Sequence, residues 1–301
     1  EGDHTSLYDP KWLRNNCYTL KNKNKYISPY ELWNKDLKRN FNTICIDHDE
    51  ILNSDEGLVK WLELLHHKGI AIIKNAPVKE KSAFPLLNRI SHVRETFFKT
   101  PFEVINIPKP NNSAYTAHAL RNHMDLPWFE LPPGYQFLHC LVNSASGGDS
   151  SAVDGFAVGE FLKNNEKEIF DTLVRVPLKF RDMDYTQESH RGFHAPAISL
   201  TKDGDFHDIR FSIATMDVLD CRPDLMEKVY KAHRRFGKLL HDEKFQINFR
   251  LGPGDIYSFN NRRILHGRTA FDPNSGHRHL QGYYMDRDEI IGRLNFLKKN
   301  S

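Results

Sequence analysis

The stretch FQINFRLGPGDIYSFNNRRILHGR, residues 245–268, reads as two β-strands around a Gly-Pro-Gly turn. Its apolar runs are too short for helices, and glycine, proline and asparagine bound them. His266 falls at the end of the second strand. Working outward, SAYTAHAL (113–120) and GYQFLHCLVN (134–143) have the same character, and IAIIK (70–74) reads as a buried strand. DEGLVKWLELLHHKG (55–69) instead places apolar residues at 58, 59, 61, 62, 64 and 65, a helical spacing, with Gly69 as a C-terminal stop. FAVGEFLKNNEKEIFDTLVRV (156–176) and RPDLMEKVYKAHRRFGKLLHDEK (222–244) are also helical. Many short strands with a few flanking helices predict a mainly β fold, a sandwich or jelly roll rather than a βαβ repeat.

Composition narrows the function. The chain has 301 residues, 27% of them charged, and a net charge of +3, too small to point to nucleic acid or an anionic membrane. No run of 18 apolar residues is present to span a bilayer. The four cysteines, Cys17, Cys45, Cys140 and Cys221, form no CxxC pair, so reduced thiols in the cytoplasm or another reducing compartment are expected. The opening EGDHTSLYDP carries neither an apolar targeting core nor an initiator methionine, as expected of a trimmed start. Residues 1–45 are polar and read as an irregular arm packed on the domain through Tyr8, Trp12, Tyr26 and Trp33; residues 46–301 form the main domain.

RNHMDLPWFE (121–130) sets His123 and Asp125 one residue apart, so on an extended chain both face the same way. Alone this is weak evidence, since a surface histidine beside a capping aspartate is the commoner source of the pattern. With His266 on a distant strand, the three make a 2-His-1-carboxylate facial set. Such a set leaves three positions open and suits Fe(II), which must bind a co-substrate and O2 together. Arg278 follows His266 by 12 residues. From the next strand its planar fork could hold the distal carboxylate of 2-oxoglutarate, with the Ser150 hydroxyl beside it. Two other readings stand beside this one: a metabolite-binding jelly roll without chemistry, and a zinc hydrolase using the same three ligands. Neither gives Arg278 and Ser150 a role.

Seven motifs carry a family resemblance: WLRNNC (12–17), NNSAYT (111–116), HMDLP (123–127), PPGYQFLHCL (132–141), GGDSSAVDGF (147–156), GPGDIYSFNNRRILHGR (252–268) and RHLQGYYMDRDEI (278–290). The chain resembles the γ-butyrobetaine dioxygenase and trimethyllysine dioxygenase family of Fe(II)/2-oxoglutarate oxygenases, a branch related to taurine dioxygenase. The resemblance implies a double-stranded β-helix core of jelly-roll, cupin-like form. It implies iron on His123, Asp125 and His266, and 2-oxoglutarate on Arg278 and Ser150. The implied reaction removes hydrogen from an unactivated C–H bond of a small molecule and releases succinate and CO2.

The sequence departs from the family in two places. Of the cysteine cluster of the family's N-terminal zinc module only Cys17 remains, so residues 1–45 look like a remnant and no zinc is expected; a homodimer is left open. The resemblance also places Asn112 and Tyr115 against the substrate and aligns Phe98, Phe102, Tyr115 and Tyr284 with an aromatic cage for a trimethylammonium group. At the first two positions Phe replaces the family's Tyr and Trp, and Phe is the weaker partner for a cation. Ser212 stands where the family holds a substrate carboxylate with Asn; Arg210 lies beside it, and His118 and Arg121 stand just ahead of His123, near the site. These changes predict a carboxylate-bearing, amino-acid-derived substrate. Hydroxylation, desaturation and ring closure of an N-alkylated acidic amino acid, as in kainoid synthases, all fit, as does γ-butyrobetaine-type hydroxylation.

Overall fold

The run IAIIK is apolar because its strand is covered on both faces. The computed structural model describes residues 2–17, 30–105, 116–185 and 188–300. Its main strands are β1 (Cys45–Asp47), β2 (Ile70–Lys74), β3 (Phe102–Ile105), β4 (Leu120–His123), β5 (Tyr135–Asn143), β6 (Ser150–Asp154), β7 (Gln246–Phe249), β8 (Ile256–Asn260), β9 (Ile264–Arg268) and β10 (Arg278–Met285). They form a six-stranded sheet, β1-β2-β8-β5-β10-β3, and a four-stranded sheet, β7-β6-β9-β4. Only β1 and β2 run parallel within these sheets. The mainly β fold with flanking helices and its double-stranded β-helix core are as expected.

Alternation along each strand sorts side chains into layers. Ile70, Ile72, Tyr257, Phe259, Cys140 and Leu280 of the larger sheet meet Ala152, Ile247, Phe249 and Ile264 of the smaller one. On its other face, Ala71, Ile73, Phe137, Ile256 and Tyr283 pack beneath the helix Asp55–His67 and the C-terminal helix Arg287–Asn300. Trp61 is fully buried there and donates its indole N–H to Ser258 Oγ at 3.0 Å. Val153 and Leu265 of the smaller sheet face outward, against the helices Gly155–Asn165, Lys167–Arg175 and Met226–Leu239. Among the described residues no helix is long and apolar enough to cross a membrane.

Several local expectations need correction. The stretch 245–268 makes three strands, not two, because its second half breaks at Asn260 and Asn261. There the bonds from Asn260 N–H to Gly69 O at 2.8 Å and from Asn261 N–H to Gly134 O at 2.9 Å are the last rungs of the ladder, and Arg263 N–H then closes a turn on Asn260 O at 3.0 Å. The helical stretch 156–176 is two helices, parted at Glu166, whose φ of −140° and ψ of 58° are not helical. In SAYTAHAL, residues 113–115 lie outside the described residues, 116–118 form bends, and the strand starts only at Leu120. The arm does not pack through all its aromatics. Trp33 is buried, whereas Tyr8 and Trp12 are 60% and 52% exposed and stack on each other at 5.9 Å. Tyr26 lies outside the described residues.

One buried ion pair ties these layers together. Arg263, just ahead of β9, has no exposed side chain and grips Asp154, at the end of β6, with Nε–Oδ1 and Nη2–Oδ2 distances of 3.0 and 2.8 Å. Its remaining donors reach His67 O, closing the long helix, and Glu31 O, each at 2.7 Å. Asp154 also accepts from Trp33 N at 3.2 Å and caps the helix Gly155–Asn165 through Phe156 N at 3.0 Å. Removing one partner of a buried pair strands the other charge and costs about 3–5 kcal/mol. Arg263→Ala should therefore lose stability on that scale in urea denaturation; a loss typical of surface substitutions would show that the pair does not hold the layers.

Candidate metal centre

Strand pairing brings the two distant histidines together. In the β4–β9 ladder His123 lies directly opposite His266, with ring centroids 4.4 Å apart. His266 therefore sits within β9 rather than at its end. The neighbouring Gly267 permits this closeness, since a Cβ there would fall 2.6 Å from Leu120 O and 2.7 Å from Ser151 Oγ. His123 Nδ1 is 2.8 Å from Arg121 O, which makes Nδ1 the protonated nitrogen and leaves Nε2 free to ligate.

Asp125 arrives differently from the sequence expectation. β4 ends at His123, so Asp125 is not on the same strand but in the following turn, where Leu126 adopts φ of +58°. Two residues hold that turn. Asn261 accepts from Asp125 N at 2.9 Å through Oδ1 and donates through Nδ2 to Asp125 O at 3.0 Å and Pro133 O at 3.1 Å. Arg210 donates to Pro127 O, to Phe129 O at 2.7 Å and to Glu130 O at 3.2 Å. As a result Asp125 Oδ1 lies 3.3 Å from His123 Nε2 and 3.6 Å from His266 Nε2. One ligand atom from each of the three falls within 4.8 Å of the others, the only such group of three or more among the described residues.

The protonation states favour ligation at two of these three residues. Burial pulls His266 down to about 3, helped by the neighbouring His123, so its imidazole is neutral. Burial would raise Asp125, but His266, His123 and the Tyr284 hydroxyl outweigh it and hold the carboxyl well below its usual range. For His123 the hydrogen bond and charge of Asp125 outweigh burial and raise it, so a metal would displace a proton there. Two imidazoles and one carboxylate converging with an open side are a donor set that fits Fe(II).

That open side faces a cavity of about 740 Å3 lined by His123 and Asp125 together with Phe98, Phe102, Arg121, Ser212 and Tyr284. Phe102 stacks on Tyr284 at 4.9 Å, and Phe98 follows at 6.2 Å, giving an aromatic wall. Tyr284 does more than line it, because its hydroxyl donates to Asp125 Oδ2 at 2.6 Å. His118 also lines the cavity. Arg210 does not; its guanidinium is spent on the three carbonyls of the Asp125 turn and stacks on Phe193 at 5.0 Å. The expectation that it meets a substrate carboxylate is corrected accordingly. Asn112 and Tyr115 lie outside the described residues.

Arg278 opens β10 and Ser150 opens β6, where Ser150 is buried and pairs with Arg268 of β9. The Gly147–Gly148 turn ahead of Ser150 packs on Arg278, and a Cβ at Gly148 would lie 3.2 Å from Arg278 Cδ. Among the described residues the Arg278 guanidinium makes no ion pair, and its buried Nε has no hydrogen-bond partner. Burial lowers it to about 10, still charged at neutral pH. Burying a cation without a counter-charge is costly, so an anion placed there would be stabilising. Asn261 and the second role of Tyr284 were not found in the sequence; only the paired asparagines in FNNRR hint at the first.

Comparison with known proteins agrees with this geometry. Residues 33–284 match the family described as taurine catabolism dioxygenase TauD, TfdA family. γ-Butyrobetaine dioxygenase of Pseudomonas sp. (strain AK-1) is 36% identical, the alignment covering 98% of this chain and 76% of that protein. Human γ-butyrobetaine dioxygenase is 31% identical over 99% of this chain and 78% of its own length. Bovine mitochondrial trimethyllysine dioxygenase is 31% identical over 98% and 70%. Among solved structures, an asparagine oxygenase superposes with a TM-score of 0.62 at 16% identity, covering 81% of this chain and 93% of that one. The backbone thus shares its fold with an oxygenase to which its sequence is only remotely similar. By the family match and these near full-length relatives, the chain belongs to the TauD/TfdA dioxygenase family, among the γ-butyrobetaine and trimethyllysine dioxygenases.

Proposed function

We propose that His123, Asp125 and His266 hold one Fe(II), that Arg278 with Ser150 receives the distal carboxylate of 2-oxoglutarate, and that the adjoining cavity binds a small, amino-acid-derived substrate bearing a carboxylate. The enzyme is an Fe(II)/2-oxoglutarate-dependent dioxygenase. The observation that carries the residue assignment is the convergence of the three ligands beside a cavity, together with a largely buried arginine that makes no ion pair among the described residues. When bound, the metal with 2-oxoglutarate and O2 supplies oxidative decarboxylation to succinate and CO2, coupled to removal of hydrogen from an unactivated C–H bond.

The chain's own residues orient and shield. Asn261 and Tyr284 fix the two ends of Asp125, its backbone and its Oδ2. Phe98, Phe102 and Tyr284 exclude water from one side of the cavity and offer ring faces to a cationic group. Arg121 and His118 are exposed at the cavity and can meet a carboxylate there. A second reading, hydroxylation of a betaine of the γ-butyrobetaine type, is favoured by that aromatic wall.

Anaerobic Fe(II) titration tests the metal assignment. His266→Ala should lose at least tenfold in affinity and Tyr284→Phe about tenfold, the range for partners that orient ligands. Unchanged binding in His266→Ala would remove the site. Arg278→Lys keeps the charge but loses the planar fork. Hydrogen bonds to a charged group are worth about 1.5–3 kcal/mol, so the KM for 2-oxoglutarate should rise roughly tenfold or more while Fe(II) affinity holds; an unaltered KM would place the anchor elsewhere.

Succinate release across γ-butyrobetaine, trimethyllysine, N-alkylated glutamates and acidic amino acids identifies the substrate. Arg121 is exposed, and a solvated ion pair contributes at most about 1 kcal/mol, so Arg121→Ala should raise the substrate KM by no more than about fivefold. No change at all would take Arg121 out of substrate binding, and product mass separates hydroxylation from desaturation or ring closure.

A further inference from the structure

A hairpin, Pro177–Asp184 with Ser189–Pro196, lies outside both main sheets and lends the cavity one residue, Asp182. Alternation along the first strand explains why this residue faces in. Leu178 and Phe180 are buried in the core, and Asp182 is next in the same row. The opposite row points away, where Lys179 Nζ and Arg181 Nε hold Asp217 at 3.2 and 3.0 Å. The backbone is fixed as well, since Arg181 N–H donates to Thr215 O and Asp217 N–H to Lys179 O, each at 2.9 Å. A carboxylate thus continues a row that is apolar up to that point.

Its charge is only partly answered. Directly across the hairpin, Arg191 Nη1 donates to Asp182 Oδ2 at 3.3 Å, longer than the roughly 2.7–2.9 Å of a strong charge-assisted bond. Arg191 is also drawn to the Phe97 ring, with Cζ 4.3 Å from its centre. Among the described residues no other hydrogen bond or ion pair reaches the Asp182 carboxylate, so Oδ1 is open. Burial and the nearby charge of Asp184 raise this carboxyl more than Arg191 lowers it. The side chain stays 25% exposed, so it can be touched from the cavity. Phe97 in turn stacks on Phe98 at 4.2 Å, which sets the Asp182–Arg191 pair beside the aromatic wall. The other acidic side chains at the cavity are committed: Glu103 uses both oxygens on His279 and Gln281, and Asp125 belongs to the metal set.

We infer that Asp182 is a specificity-determining residue: its open Oδ1 accepts a hydrogen bond from a protonated substrate amine that still carries an N–H, while Phe98 and Phe102 cover the carbon substituents of that nitrogen. The substrate class is then a zwitterion with a secondary or tertiary ammonium rather than a quaternary one. A half-buried carboxylate oxygen loses its water when a substrate fills the cavity. An N–H donor replaces that bond, whereas a quaternary ammonium has none to give and leaves the oxygen unpaired. This inference rests on the reading that the cavity takes an amino-acid-derived substrate beside the iron.

The test uses the Fe(II)-loaded protein with 2-oxoglutarate and two matched pairs of amines: dimethylated and trimethylated γ-aminobutyrate, and dimethylated and trimethylated glutamate. All four nitrogens are cationic at neutral pH, but only the dimethylated forms keep an N–H. Anaerobic calorimetry reports binding, and succinate release reports KM. In the wild type the dimethylated form should bind about tenfold or more tightly than its trimethylated partner in at least one pair, the scale of a hydrogen bond to a charged group. Asp182→Leu, of similar size and unable to accept a hydrogen bond, should bring that pair to parity. Asp182→Asn, which loses the charge but keeps an acceptor, should fall between. A loss shared equally by both forms is the mark of a structural role and overturns the inference, as does a wild type that favours the trimethylated forms or prefers neither. Failure of all four amines to bind overturns it too. If Fe(II) and 2-oxoglutarate still bind in that case, their sites stand; if they do not, the proposed function falls with it.

Discussion

The buried Asp154–Arg263 pair is the constraint on which the arrangement depends. A charge without water needs every donor and acceptor answered, and Arg263 meets this by gathering four separate parts of the chain. Its contacts reach β6, the end of the long helix and the segment at Glu31, while its own backbone carbonyl accepts from Gly155 N at 3.0 Å. Apolar burial alone would tolerate sliding of one sheet over the other. A directional ion pair does not, and β9, which carries His266 and Arg268, begins one residue later.

From that anchored strand the metal centre is assembled by two kinds of structure. The histidines are placed by a ladder, whose register makes His123 and His266 cross-strand neighbours. The carboxylate is placed by a turn, and a turn must be held from outside. Asn261, Arg210 and Tyr284 do this from three different directions, two by gripping backbone and one by donating to Asp125 Oδ2. Arg210 thus braces the residues after Asp125 without lining the cavity.

Electrostatics divides the site into two regions. Around the ligands an ionised carboxylate offsets the imidazoles. At the Phe271 ring, the guanidiniums of Arg268 and Arg278 lie with Cζ 5.0 and 5.9 Å from the ring centre. A carboxylate of the proposed co-substrate would meet positive charge in this second region. The aromatic wall of Phe98, Phe102 and Tyr284 borders a third, less charged space, where a substrate's apolar or cationic portion fits.

The sequence by itself determined the family and the candidate ligand set. The identities and order of His123, Asp125, His266, Arg278 and Ser150 follow from ligand types and spacing, and the helix Asp55–His67 from its periodicity, because these depend on residues near one another or on composition alone. The tertiary structure decided what those residues touch. Asn261 is 136 residues from Asp125 and Tyr284 is 159 from it, so no local pattern announces either hydrogen bond. Arg210 looked like a substrate contact because its charge was visible, whereas the three carbonyls that occupy it lie about eighty residues earlier, as the separations of 83, 81 and 80 show. The third strand within 245–268 is set off by a tight turn, Arg263 N–H to Asn260 O at 3.0 Å, at a residue held by long-range contacts to His67 O and Glu31 O. Side-chain chemistry is a property of the residue, but its use is set by partners that only the folded chain brings within hydrogen-bonding distance.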